Sequence, residues 1–261
     1  MPQQAGREIL FQPAPPYDHK IAYGPDPFQF GYLRVPKSKS PHPVAIVIHG
    51  GFWRAAFDLE HSGHMCAALT RAGLATWSLE YRRIGNPGGA WPGTCDDVLK
   101  GALQVRSFAE QHGLDASRMV AIGHSAGGHL ALWLAAQKNP RLRGVVSLAG
   151  VADLRRAYEL KLSSNVVRDF MAGASPDAAP AEYRKASPIE MLPLGIPVRL
   201  IHGDADEIVP IEISKRYEAA AHKAGDLSTK LVTLPGANHF PAITPQSVEW
   251  PVVERAVLEL L

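Results

Sequence analysis

Cysteine is scarce in this chain: Cys66 and Cys95 are the only two among 261 residues. Two thiols cannot make a disulfide framework, and without a CxxC pair they do not read as a zinc site, so both are expected as buried thiols. Charge of one sign is not in excess either. The formal net charge is +2, which directs no strong field toward nucleic acid or an anionic membrane. Long hydrophobic runs are missing. No stretch approaches the roughly 20 apolar residues that a membrane-spanning helix requires. The opening MPQQAGREILFQPAPPYDHK has no basic stretch followed by an apolar one, so it does not read as a secretory signal, and the cytoplasm is the expected compartment. Internal repeats and low-complexity tracts are absent too.

What remains is ordinary globular composition, 46% hydrophobic and 20% charged, in a chain long enough to bury a large core as one α/β domain, residues 1–261. Residues 1–27 read as a proline-rich polar arm, followed by a strand at 28–35. The continuous β-branched runs VAIVIH (44–49), LATWSLEY (74–81) and MVAIGH (119–124) mark strands buried on both faces. Helical patterns lie between them, from His61 to Ala72, from an N-cap at Thr94 to about His112, and from 125 to 137. RGVVSLAG, PVRLIHG and STKLVTLPG continue the alternation, with a helix after Pro210 and a last one from Pro245 to Leu261. Alternating strands and helices predict a mostly parallel sheet covered on both faces. One long connection, 151–196, carries its own helical pattern. It is expected to lie over the carboxyl ends of the strands as a partial lid, with Leu154, Tyr158, Leu162, Val166 and Phe170 as its apolar face.

The stretch GHSAGG (123–128) places Ser125 between a buried strand and an Ala/Leu helix, the context of a nucleophile elbow. A lone hydroxyl is a weak nucleophile and needs a base and an orienting acid. Both follow in chain order. IHGDADEIVP (201–210) offers Asp206 and LPGANHF (234–240) offers His239, each in a loop after a strand end, where open α/β sheets place their sites. HGGFW (49–53) follows another strand end. Adjacent glycines let backbone N–H groups approach a developing oxyanion, so the amides of Gly51, Phe52 and Ala126 are the candidate donors. Trp53, Trp91 and Phe240, in loops beside this site, are candidate pocket walls. His61, His64, His124 and His129 find no third metal ligand and read as satisfied structural histidines, with His49 bonded to backbone in its own loop. No metal or cofactor is called for. Asp96 and Asp97 read as helix-start acids and Asp153 as a cap.

HGGFW together with GHSAGG resembles the HGGxW serine hydrolases of the α/β-hydrolase superfamily, which include kynurenine formamidase-like enzymes and small carboxylesterases. The resemblance continues through YGPDPFQ (23–29), EYRRIGNPGGAWPGTCDDV (80–98), ASP (186–188) and HGDADEIVP. The segment SSNVVRDFMAGASPDAAPAEYRKASP is more similar to the bacterial esterase and prolyl-oligopeptidase-like branch. The resemblance implies an α/β-hydrolase fold, a Ser125–His239–Asp206 triad and an oxyanion hole at Gly51 and Phe52. The family pattern HGxxDxxVP puts the acid at Asp206, leaving Asp204 to bond backbone in its turn and Glu207 to solvent. The expected substrate is a small carboxylic ester, cleaved through an acyl-enzyme; aryl formamides are the alternative. A peptidase would share this constellation but usually carries a large gating domain. A non-catalytic binding member would have lost one of the three residues.

Overall fold

The computed structural model describes residues 6–261, so the first five residues of the expected arm lie outside the described residues. Among the described residues eight strands form one sheet in the order β1-β2-β4-β3-β5-β6-β7-β8. They are β1 (His19–Ala22), β2 (Phe30–Arg34), β3 (His42–Ile48), β4 (Ala75–Leu79), β5 (Leu114–His124), β6 (Gly144–Leu148), β7 (Val198–Gly203) and β8 (Lys230–Leu234). β1 pairs antiparallel with β2, and β2 with β4; the other pairs are parallel. The β-branched runs fill the centre because both faces are covered. Val44 to Ile48, and Met119 to Ile122, are fully buried.

The chain order reverses at β3. After β3 the chain crosses to β4 on one side, then returns to lay β5 on the other. A crevice opens beyond the carboxyl ends of β3 and β5 at such a reversal, which brings the loop after β3 and the turn after β5 together.

The helices are α1 (Gly63–Arg71), α2 (Gly93–Phe108), α3 (Ala126–Ala136), α4 (Leu154–Glu159), α5 (Leu162–Phe170), α6 (Pro180–Ala186), α7 (Glu212–Lys223) and α8 (Trp250–Leu258). α3 is buried from Ala126 through Ala135, as expected of a helix apolar on all sides. The sheet lies under it and the 151–196 connection covers it. One apolar core contains α2, α3 and that connection. A second, on the other face, contains α1, α8 and Ile9.

Several expectations change. The arm is not featureless: Arg7–Leu10 form a 3-10 turn and His19–Ala22 form β1. Thr94 is no N-cap, since α2 starts at Gly93 and the Thr94 hydroxyl donates to the Arg82 carbonyl at 2.6 Å. Asp97 does more than start a helix. It is buried and accepts from Arg82 Nη2 at 2.6 Å, Arg82 Nε at 2.7 Å and Gln29 Nε2 at 2.7 Å. The last helix begins at Trp250, five residues later than expected. Leu154, Leu162, Val166 and Phe170 do not face a cavity from a lid. They are buried in the main core, with Tyr158 packed against it.

Candidate active site

Ser125 occupies the turn between β5 and α3 with φ 56° and ψ −119°, a left-handed conformation that costs a non-glycine residue about 1–3 kcal/mol. Three bonds hold it there: Ser125 N donates to the Leu148 carbonyl at 2.8 Å, and the Ser125 carbonyl accepts from His129 N at 3.1 Å and Val151 N at 3.3 Å. The flanking glycines are required sterically. A Cβ at Gly123 would sit 2.1 Å from the Gly127 carbonyl oxygen, and one at Gly127 would sit 2.0 Å from the Ile48 carbonyl oxygen. The motif therefore packs the elbow against itself and against the end of β3.

That strand end leads into HGGFW. Gly51, Phe52 and Trp53 have φ of 108°, 53° and 56°, so three successive residues turn left-handed. Such a run persists only where its surroundings hold it, and here they do so at both ends. At the start, His49 Nδ1 donates to the Gly50 carbonyl at 2.8 Å and His49 Nε2 faces Glu80 Oε1 at 3.2 Å. Both ring nitrogens thus meet oxygen atoms, which fixes the ring's orientation under the loop. Burial would raise the Glu80 carboxyl, but His49 and Arg83 outweigh it and hold the group below its usual range. Tyr81 stacks on His49 with centroids 4.3 Å apart and donates its hydroxyl to the His49 carbonyl at 2.7 Å. Arg83 donates to the Phe57 carbonyl farther along the loop.

At the other end stands Trp53. It is fully buried, stacked on Phe170 at 4.5 Å and edge-on to His129, to whose Nδ1 its indole N–H donates at 3.3 Å. His129 Nε2 donates in turn to the Ala186 carbonyl at 2.9 Å, and burial lowers its pKa to about 4, so the ring is neutral. One buried cluster thus ties the loop, the helix after Ser125 and the 151–196 connection together. Trp53 is an anchor and not the pocket wall expected of it. Trp91 is displaced as well: its indole N–H donates to Glu182 Oε2 at 2.9 Å, and it does not border the cavity beside Ser125. Phe240 does border it.

His239 and Asp206 meet. His239 Nδ1 donates to Asp206 Oδ2 at 2.6 Å, and both residues are buried. The other carboxylate oxygen accepts the backbone N–H groups of Ile208 and Val209, each at 2.9 Å. Burial pushes the Asp206 carboxyl up, but hydrogen bonds from His202 and His239 and the Val209 amide overcome it, leaving the pKa well below the carboxylate range. Asp206 is therefore an anion fixed on four sides. Asp204 is exposed and accepts from the Gly236 amide at 2.6 Å. Beneath His239, the buried and neutral His124 donates from Nε2 to the His239 carbonyl at 2.8 Å.

Ser125 and His239 border one cavity of about 350 Å³, whose other walls include Gly51, Phe52, Phe57, His61, Ile208 and Phe240. The N–H groups of Gly51, Phe52 and Ala126 donate to no backbone carbonyl among the described residues, so they are available to an incoming oxygen. Arg7, Leu10, Phe57 and His61 also reach the cavity, and sequence reasoning missed them. None belongs to a motif, and only long-range packing brings them there. His61 is held neutral, its pKa lowered to about 3 chiefly by burial. His64 departs from the satisfied state expected of it, since its buried Nε2 has no partner among the described residues. Asp153 caps α4 by accepting from Arg156 N at 2.9 Å. Cys66 and Cys95 are buried and unpaired. Among the described residues no group of three or more His, Cys, Asp or Glu is placed to hold a metal ion, and no helix is long and apolar enough to cross a membrane.

Known proteins share this architecture. The chain is 26% identical over 211 residues to Esterase LipQ of Mycobacterium tuberculosis, covering 76% of this chain and 50% of that protein. It spans about half the length of the curated relatives it matches. Among solved structures, a truncated carbohydrate esterase from gut microbiota superposes with a TM-score of 0.81 at 22% identity, covering 95% of this chain and 99% of that one. Esterase B from Lactobacillus rhamnosis superposes with a TM-score of 0.81 at 20% identity, covering 98% and 92%. The fold is accordingly the α/β-hydrolase fold, with its mostly parallel sheet flanked by helices. The sequence model of the BD-FAE family matches residues 32–220, well over half of the chain. This chain belongs to the BD-FAE family.

Proposed function

We propose that this protein is a serine hydrolase of small carboxylic esters. The observation that carries the reading is the buried Asp206–His239 pair, 2.6 Å apart, on the same cavity as a serine held in a left-handed turn. The names of its relatives, esterases in the main, agree with it.

In this reading Ser125 Oγ attacks the ester carbonyl while His239 Nε2 takes its proton. Asp206 keeps the other ring nitrogen protonated and stabilises the imidazolium. The carbonyl oxygen becomes an anion that accepts from the amides of Gly51, Phe52 and Ala126. A preset donor of this kind is worth about 10²–10³ in kcat, because it does not reorganise during the reaction. Ala126 opens α3, so the helix dipole adds to the field there. His239 then returns the proton to the leaving alcohol oxygen, and water hydrolyses the acyl-serine by the same steps in reverse. All the groups required belong to the chain, so no cofactor enters the scheme. Two buried, unpaired thiols suit a reducing compartment, and we place the protein in the cytoplasm.

The test is Ser125→Ala on p-nitrophenyl acetate, with N-formylkynurenine run beside it. Loss of the nucleophile should lower kcat by on the order of 10⁶, and a fluorophosphonate should label the wild type at Ser125. Turnover by Ser125→Ala near the wild-type rate would overturn the assignment, and preference for the formamide would redirect it to amides.

A further inference from the structure

The N-terminal turn Arg7–Leu10 sits at the mouth of the cavity, although it precedes the segment shared with the family. Ile9, 1% exposed, anchors it in the core on the α1 and α8 side. Gly6 adds a second hold. Its backbone lies against Phe240, such that a Cβ there would come within 3.2 Å of the Phe240 Cβ. The turn is thus pinned to the wall of the cavity, and Arg7 and Leu10 border it, whereas the exposed Glu8 does not.

A second cavity of about 290 Å³ adjoins the first, sharing Arg7, Glu207, Ile208, His239 and Phe240 with it and adding Ala205 and Asn238. The two meet at His239. That histidine hands its proton to the leaving oxygen, so the departing alcohol starts beside His239 and within reach of the walls the two cavities share, Arg7 among them. Arg7 is the only lysine or arginine among the described residues bordering either space. Besides His239, the imidazoles there, His61 and His124, are held neutral mainly by burial. Among the described residues the exposed Arg7 side chain has neither a hydrogen-bond nor an ion-pair partner. Glu207, on the same rim, carries the opposing charge.

We propose that Arg7 is a specificity-determining residue that selects esters whose leaving alcohol carries an anionic group, such as a carboxylate. This rests on the ester-hydrolase reading above. A guanidinium presents a planar fork of donors that matches a carboxylate in two bonds. Phe240, which borders both cavities with Arg7, supplies an apolar surface for the body of the alcohol. Glu207 moderates the preference by repelling the same group.

A matched pair of substrates tests the assignment: 3-acetoxybenzoate and its neutral carboxamide, 3-acetoxybenzamide. Arg7 is exposed, so the ratio of kcat/KM for the anionic over the neutral ester should fall by about two- to fivefold in Arg7→Gln. It should fall further in Arg7→Glu and rise a few fold in Glu207→Gln. Raising the salt concentration should shrink the wild-type preference. An unchanged ratio in both Arg7 variants would overturn the proposal, as would a wild-type preference for the carboxamide. Binding of 3-hydroxybenzoate to Ser125→Ala, with Arg7 present or replaced by Gln, reads the same site without turnover. Should the wild type hydrolyse neither ester while this binding stays Arg7-dependent, the hydrolase reading fails and the anion site stands.

Discussion

Replacing Asp206 by Asn changes one atom and tests the whole charge arrangement around His239. Oδ1 of Asp206 accepts two backbone N–H groups, from Ile208 and Val209. In the variant the amide oxygen must take that place, since an NH₂ there would oppose two donors. The amide nitrogen is then turned toward His239 Nδ1, where the carboxylate oxygen now accepts at 2.6 Å. A donor facing Nδ1 selects the tautomer protonated on Nε2, and that ring cannot take the proton of Ser125. In a comparable triad this exchange lowers kcat by about 10⁴, so Asp206→Asn should lose on the order of 10³–10⁴, or about 4–5.5 kcal/mol of barrier. Asp204, two residues earlier, is exposed, and among the described residues its side chain holds only the Gly236 amide. Asp204→Asn keeps an oxygen for that amide and should lose less than about tenfold, within the range of a single exposed hydrogen bond. Steady-state kcat on one short p-nitrophenyl ester, with thermal melts to check folding, decides the matter. An Asp206→Asn variant within tenfold of wild type, or the reverse ranking of the two, would refute the reasoning and move the acid elsewhere.

Trp53→Ala should cost about 3–5 kcal/mol of stability by emptying a fully buried site. It should also reduce kcat more than KM, because the loop bearing Gly51 and Phe52 loses its anchor; an unchanged kcat in a folded variant would count against that role. Stability should fall on acidification from about pH 6.5 toward about pH 4. His61, His124 and His129 are buried with folded pKa values below the ordinary 6.5. The unfolded chain therefore binds more protons in that window, and each group removes up to about 1.4 kcal/mol per pH unit. A melting temperature flat between pH 7 and 5 would contradict it. With about 350 Å³ beside Ser125, near the small end of ligand pockets, acyl groups from C2 to C6 should be preferred. On the order of tenfold in kcat/KM should be lost by C10, whereas a rise out to C12 would mean that the cavity opens farther than its walls suggest.

The strands and helices, and the order serine, acid, histidine, were legible in the sequence because each is a local property. A continuous β-branched run fits a strand covered on both faces, and Gly123 and Gly127 leave room for main chain that any side chain would fill. The placement of loop side chains was not local. Trp53 follows two glycines at a strand end and suits a pocket as well as a core. Phe170 and His129, 117 and 76 positions away, draw it inside. The same holds for the apolar residues of 151–196, which extend the core because α3 offers them a second buried face. Asp97 looked like a helix-start acid until Arg82 and Gln29 closed on it. Arg7 lies in a stretch that reads as a plain arm, and only the seat that Ile9 finds beside Phe240 brings it to the cavity. Sequence fixes which backbone shapes are affordable over a few residues. Which side chains share a wall depends on elements that meet only when the sheet closes.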